Sequence, residues 1–243
     1  MPQIVLHDVC VTFPEKRHKK EAKPLSHLNA TFLDGSFSAI LGRSGEGKTT
    51  LLRVIAGLTS YEGEVTFDGV NALDLPIQER NIAYVSQEFA LYPALSVFDN
   101  MAFPLKTMGC PREEILSRVK KMADSLGLSF LLTRKPRYLS LGQQQRVAIG
   151  RALIKNPDLC LFDEPFSHLE PTERRREGLM LYSLLHAAGV TALYVTHSSE
   201  EAISLADDVY ILEEGNMMFH GCKEDFASST NPNVMAYKGD LQW

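Results

Sequence analysis

The chain has 243 residues, a mass of 27.1 kDa and a formal net charge of −5. That length holds one or two domains able to bury a core without staples, and the acidic balance argues against a nucleic-acid binder. No apolar run approaches the roughly 20 residues that a membrane-spanning helix needs. The first residues, Met-Pro-Gln-Ile-Val-Leu-His-Asp, carry neither a cationic region nor an apolar signal core, which points to the cytosol. Cys10, Cys110, Cys160 and Cys222 lack CxxC spacing. They read as reduced thiols, with no metal site or disulfide framework indicated.

In chain order, Ile4 to Phe13 reads as a strand. Lys16 to Lys23 is a charge run, read either as a solvated loop or as a basic lip beside a phosphate or lipid headgroup. Ser38 to Leu41 is a short buried strand, followed by a Gly-rich turn and a helix over Lys48 to Ala56. Tyr61 to Glu64 reads as a turn between short strands. Residues 91–137 read as mostly helical. There Pro111 opens a helix with Glu113 and Glu114 in its first turn. Ile115, Val119, Met122 and Leu126 share one face, and Gly127 is the stop. Leu159 to Phe162 is a second buried strand, Thr172 to Ala188 a helix ending at Gly189, and Thr191 to Thr196 a third strand. Ser198-x-x-Glu201 predicts a capping box. Val209–Leu212 and Met217–Phe219 flank a hairpin turn. This alternation predicts an α/β fold with a mostly parallel sheet covered by helices.

Gly42-Arg43-Ser44-Gly45-Glu46-Gly47-Lys48-Thr49 fits G-x-x-x-x-G-K-[ST] between a strand and a helix. Glycines let backbone N–H groups wrap a phosphate, and the helix N-terminus favours the anion. Lys48 would reach the β- and γ-phosphates, Thr49 would ligate Mg²⁺, and Thr50 completes the phosphate-binding set. Leu159-Cys160-Leu161-Phe162-Asp163-Glu164 is an apolar strand ending in two acids. Asp163 suits Mg²⁺ binding through a water, and Glu164 suits polarisation of an attacking water.

Leu139-Ser140-Leu141-Gly142-Gln143-Gln144-Gln145-Arg146-Val147-Ala148-Ile149 resembles the signature of ATP-binding cassette (ABC) transporter ATPases. With both Walker motifs, that resemblance covers Ile4 to Gly221. It implies a P-loop ATPase fold with an N-terminal antiparallel β subdomain and a helical insert. The single domain, 1–243, would divide into a core (1–90 and 138–225), a helical subdomain (91–137) and a tail (226–243). ATP and Mg²⁺ are the implied ligands. Lys48, Gln87, Glu164 and His197 are then catalytic, and Thr49, Gln87 and Asp163 face the metal. Phe13 would stack on adenine. Two ATPase subunits, identical or different, would pair head to tail, with Ser140, Gly142 and Gln143 of one binding the γ-phosphate held by the other. Transmembrane permeases are implied as partners, with a solute-binding protein acting indirectly and no nucleic acid. The implied location is peripheral, on the cytoplasmic face of the inner membrane.

The segments Glu79–Gln87, Ala90–Pro93 and Val97–Lys106 are similar to those of carbohydrate, polyamine and inorganic-anion importer ATPases. The extra C-terminal regulatory domain of many such proteins is not expected here. Lipid-trafficking or export ATPases and soluble ABC ATPases are the alternatives, and a P-loop phosphotransferase would leave Gln87, the signature and His197 unexplained. Three positions depart from the family pattern: Leu141 replaces a signature glycine, Glu170 stands for an aspartate, and Gly150 for an alanine.

Overall fold

Ile4, Leu6, Val9 and Val11 bury one face of β1 (Ile4–Phe13). That strand pairs antiparallel with β2 (Ala22–Phe32) and with β4 (Glu62–Phe67), and β4 with β5 (Val70–Asn71), giving the sheet order β2-β1-β4-β5. The computed structural model describes residues 2–14 and 22–238. Most of the Lys16–Lys23 run therefore lies outside the described residues.

The second sheet has the order β10-β9-β3-β8-β7-β6. It comprises β3 (Phe37–Leu41), β6 (Ile82–Val85), β7 (Leu159–Asp163), β8 (Thr191–Thr196), β9 (Asp208–Glu213) and β10 (Asn216–Cys222). All neighbours are parallel except the β9–β10 hairpin. Every residue of β3, β7 and β8 is buried, as expected of strands covered on both faces. Leu159 and Leu161 point into a core shared with β1 and β2, whereas Cys160 and Phe162 point into the core on the other face.

Helix α1 (Lys48–Ile55) packs on the first face. The opposite core takes side chains from α2 (Val97–Thr107), α3 (Arg112–Ser125), α4 (Leu141–Leu153), α5 (Pro171–Ala188) and α6 (Ser199–Leu205). Residues 91–137 hold α2, α3 and two short 3₁₀ turns, in line with the helical reading. On α3, Ile115 and Val119 are buried as expected, Ala123 joins them, and Met122 is only half-buried. Gly127 and Gly189 both take the left-handed backbone that ends a helix.

Three sequence expectations change. Tyr61 to Glu64 is not a turn, because Glu62, Gly63 and Glu64 already belong to β4. Gly63 has φ +93° and stands opposite the β1 bulge at Asp8 and Val9, where a Cβ would lie 2.3 Å from the Asp8 carbonyl oxygen. Ser198 caps α6 by accepting from the Glu201 N–H at 3.3 Å. The reciprocal half of that box is missing, because the Glu201 carboxylate accepts instead from Tyr194 Oη at 2.6 Å and Thr196 Oγ1 at 2.8 Å. Gly150 is buried where α4 crosses α2, and a Cβ there would come within 2.8 Å of Met101 and Leu126. It is a close-approach position rather than an exposed helix defect.

The C-terminal segment is docked. Helix α7 (Lys223–Ser228) spans the expected 225/226 boundary and buries Phe226, and α8 (Pro232–Lys238) buries Val234. Lys238 Nζ donates to the carbonyls of Ala227 and Ser229. Among the described residues, no helix is long and apolar enough to cross a membrane.

Candidate functional site

The turn from β3 into α1 is held open by glycine. Gly45 and Gly47 have φ of +91° and +99°, and a Cβ on Gly47 would sit 2.1 Å from the Pro24 carbonyl oxygen. A Cβ on Gly42 would meet the Leu212 carbonyl at 2.6 Å. Gly47 is the N-cap of α1 and no side chain caps that helix, so its first N–H groups face the loop. Lys48 is 4% exposed and curls back, donating to the carbonyls of Gly42 at 2.7 Å and Arg43 at 2.8 Å. Burial pulls its ammonium below the usual lysine range, opposed by Glu164, Asp163 and Glu46. Arg43 and Ser44 are exposed, Thr50 is half-buried, and the Glu46 carboxylate accepts from the Glu214 N–H.

The carboxyl ends of β7 and β8 lie beside this loop. Thr49 Oγ1 donates to Asp163 Oδ1 at 2.9 Å, and Tyr84 Oη donates to Asp163 Oδ2 at 2.9 Å. Burial and then the Asp163 carboxylate push the Tyr84 phenol far above its ordinary range. Glu164 adopts a left-handed backbone, φ +46°, at the strand end. Its carboxylate lies 3.7 Å from Lys48 Nζ and 3.4 Å from His197 Nδ1. Thr49, Tyr84, Gln87 and Asp163 line one cleft of about 440 Å³. Gln87 Nε2 donates to Ser167 Oγ at 3.3 Å, and Ser167 Oγ donates to the Glu164 carbonyl at 3.0 Å.

The signature is built differently. Ser140 is the N-cap of α4, and its Oγ accepts from the Gln143 N–H at 3.3 Å while the Ser140 N–H donates to Gln143 Oε1 at 3.1 Å. Gly142 is half-buried and Leu141 is 52% exposed. Among the described residues, no hydrogen bond joins Ser140, Gly142 or Gln143 to the phosphate loop. Phe13, 46% exposed at the end of β1, is likewise outside that network. Glu170 is the N-cap of α5, and its side chain makes no cap bond.

The structure thus brings Lys48, Thr49, Gln87, Asp163, Glu164 and His197 to one place, while Ser140 and Gln143 bond to each other and Phe13 is half-exposed at the end of β1. Three contributors were missed in the sequence. Tyr84 and Ser167 stand within motifs already recognised, but only their contacts reveal what they hold. Arg151 of α4 donates to the carbonyls of Phe89 at 3.0 Å and Ala90 at 2.8 Å, two left-handed residues just after Gln87, and so ties the signature helix to the Gln87 segment.

A family model described as ABC transporter matches residues 25–167, more than half of the chain. The molybdate/tungstate import ATP-binding protein WtpC of Pyrococcus horikoshii is 43% identical over 87% of this chain and 62% of its own length. The trehalose/maltose import ATP-binding protein MalK of Thermococcus litoralis is 42% identical over 84% of this chain and 57% of its length. The chain thus spans about six tenths of the curated relatives it matches. Among solved structures, a dimeric post-hydrolysis state of an ATP-binding cassette bound to ADP and Pi superposes with a TM-score of 0.81 and 31% identity, over 90% of this chain and 98% of that one. With this motif set on this parallel sheet, the chain belongs to the ABC transporter family.

Proposed function

We propose that this chain is the ATP-binding and ATP-hydrolysing subunit of an ABC importer, attached peripherally to the cytoplasmic face of the membrane through permease subunits. The observation that carries the reading is the placing of Glu164 between Lys48 and His197, 3.7 and 3.4 Å away, at the mouth of the phosphate loop. Residues 42–50 hold the phosphates, with their backbone N–H groups and Lys48 directed at the β- and γ-positions. Oxygen donors from Thr49, Gln87 and Asp163 around one cleft fit a hard cation such as Mg²⁺. When bound, Mg²⁺ neutralises charge on the transferred phosphoryl group.

Glu164 accepts a proton from a water whose oxygen attacks the γ-phosphorus, and the bond to the β-phosphate oxygen breaks to leave ADP and phosphate. His197 positions Glu164 and the γ-phosphate. Phe13 supports the adenine ring. Ser140, Gly142 and Gln143 serve the nucleotide of a second subunit, since they stand apart from their own phosphate loop. Gln87, held by Ser167 and next to the segment pinned by Arg151, passes the state of the site to the helical subdomain at 91–137 and so to the permease. The core at 1–90 and 138–225 and the segment at 226–243 complete the division. A molybdate, tungstate or sugar cargo, as in the relatives' names, is selected by the permease and its binding protein rather than by this site.

Phosphate release from ATP and Mg²⁺ by the purified chain tests this reading. Turnover that depends on protein concentration more steeply than first order, and that disappears in Glu164→Gln, supports it. Turnover unchanged in Glu164→Gln would falsify the assigned base.

A further inference from the structure

Cysteine spacing alone indicates no metal site, yet the antiparallel sheet gathers three ligating side chains, none of which lines the cleft of Thr49, Gln87 and Asp163. The β1–β2 register breaks three times, between Leu6 and Val9, between Val9 and Val11 and between Val11 and Phe13, and the first two breaks surround the cluster. Asp8 on β1 and His27 on β2 are the irregular residues, and both take left-handed backbone, with φ of +52° and +51°. Asp and His tolerate that region better than most residues, but it persists only where the surroundings enforce it. Here Asn29 does so, accepting from the Asp8 N–H at 3.0 Å and donating to the His27 carbonyl at 2.9 Å. Opposite this bulge, Gly63 of β4 has no side chain to meet the Asp8 carbonyl.

The two opposed bulges aim their side chains at each other. His27 Nδ1 lies 2.7 Å from Asp8 Oδ1, and the His27 N–H donates to Cys10 Sγ at 3.1 Å. The imidazole nitrogen, the carboxylate oxygen and the thiol sulfur all fall within 4.8 Å of one another. The His27 N–H holds the Cys10 sulfur beside the ion pair, which adds a third ligating atom to it. We propose that Asp8, Cys10 and His27 form a binding site for a borderline divalent cation, Zn²⁺ by the chemistry of its donors. A mixed nitrogen, sulfur and oxygen set suits Zn²⁺ and disfavours Mg²⁺ and Ca²⁺. Three protein donors leave one tetrahedral position for water. The bound ion clamps β1 to β2 within the sheet that carries Phe13, and it acts independently of the nucleotide.

The test uses the untagged full chain, stripped with chelator and titrated with Co²⁺ in the absence of nucleotide. A thiolate-to-cobalt charge-transfer band that saturates at one equivalent and is displaced by Zn²⁺ is expected. Cys10→Ser removes the band, and Asp8→Asn or His27→Asn weakens Co²⁺ binding by at least about tenfold. No band in the unaltered chain, or a band that survives Cys10→Ser, overturns the site. A second measurement needs no variant: Zn²⁺ slows alkylation of Cys10, read by peptide mass spectrometry, and leaves Cys110 and Cys222 unchanged. Equal rates at Cys10 with and without Zn²⁺ also overturn it.

Discussion

The N-termini of α1 and α4 meet the problem of unpaired backbone N–H groups in opposite ways. At α1, Gly47 offers no side chain, so the donors stay available, and Lys48 waits on the loop's own carbonyls. At α4, Ser140 and Gln143 satisfy each other in a capping box on an exposed edge. A helix N-terminus is an anion site only when its donors are free. The first end is therefore ready for phosphate within its own chain. The second is stable without one, and it offers Ser140 and Gln143 to a γ-phosphate only by exchanging an internal bond for a bond to the incoming oxygen. This asymmetry fits the proposed sharing of a nucleotide between two subunits.

The largest effect expected at the first end comes from Glu164→Gln, which removes the proton acceptor and leaves the phosphate loop intact. Turnover falls by about 10²–10⁴-fold, while nucleotide binding, measured by equilibrium dialysis, persists and the ATP-bound dimer accumulates in size-exclusion chromatography. Gly47→Ala comes next. The added Cβ meets the Pro24 carbonyl at 2.1 Å with the backbone at φ +99°, so both nucleotide affinity and the thermal midpoint drop together. If Gly47→Ala bound ATP normally, the idea of an open, uncapped phosphate loop would fail.

Loss of the Arg146–Glu177 pair behind α4 should be the main pure stability effect. Arg146 Nε donates to the buried Glu177 carboxylate at 2.7 Å and Nη1 to the Leu126 carbonyl at 3.2 Å. Burial pushes Glu177 up, but Arg146 and then Arg176 together more than offset it and hold the carboxyl below its ordinary range. A carboxylate depressed in the folded state contributes stability above its ordinary pKa and loses it as pH falls through the folded value. Glu177→Gln therefore costs about 1–2 kcal/mol in denaturant melts at neutral pH, since it removes the carboxylate that the half-buried Arg146 and the exposed Arg176 pair with, and the difference from the unaltered chain shrinks in acid.

At the second helix end, Ser140→Ala removes the cap. It costs about 1 kcal/mol of stability and slows turnover only under conditions where the chain dimerises. An equal loss of turnover in dilute, monomeric protein would place Ser140 in its own chain's site and dissolve the contrast. The smallest effect is that of Leu141→Gly. Leu141 stands at the first turn with its side chain in solvent, so melting shifts by less than about 1 kcal/mol, and turnover stays within a few-fold unless the partner's nucleotide meets that side chain.

Much of this molecule was legible in the chain because its chemistry is carried by contiguous residues. Gly42 to Thr49 must be contiguous to wrap one phosphate, and the apolar run ending in Asp163 and Glu164 marks a strand whose carboxyl end faces the ligand. Lys48, Asp163 and Glu164 were legible from strand ends, because a parallel sheet delivers every such end to one side, whereas Gln87 and His197 were singled out by the family resemblance. Local signals misled where a long-range partner competed for the same group. The Glu201 carboxylate leaves its capping box because Tyr194 and Thr196 bond it in the interior, and Gly63 lies in β4 rather than in a turn because it must pass the Asp8 carbonyl at the β1 bulge.

The sequence by itself determined the phosphate loop, the acids after β7, the helical character of 91–137 and the parallel sheet, each through short-range spacing and hydrophobic period. Only the tertiary structure decided that Tyr84 and Ser167 brace the site, that Arg151 holds the segment after Gln87, that Gly150 is a packing contact, and that Asp8, Cys10 and His27 converge. Those features depend on strand register and helix crossing, which bring together residues that no local pattern relates.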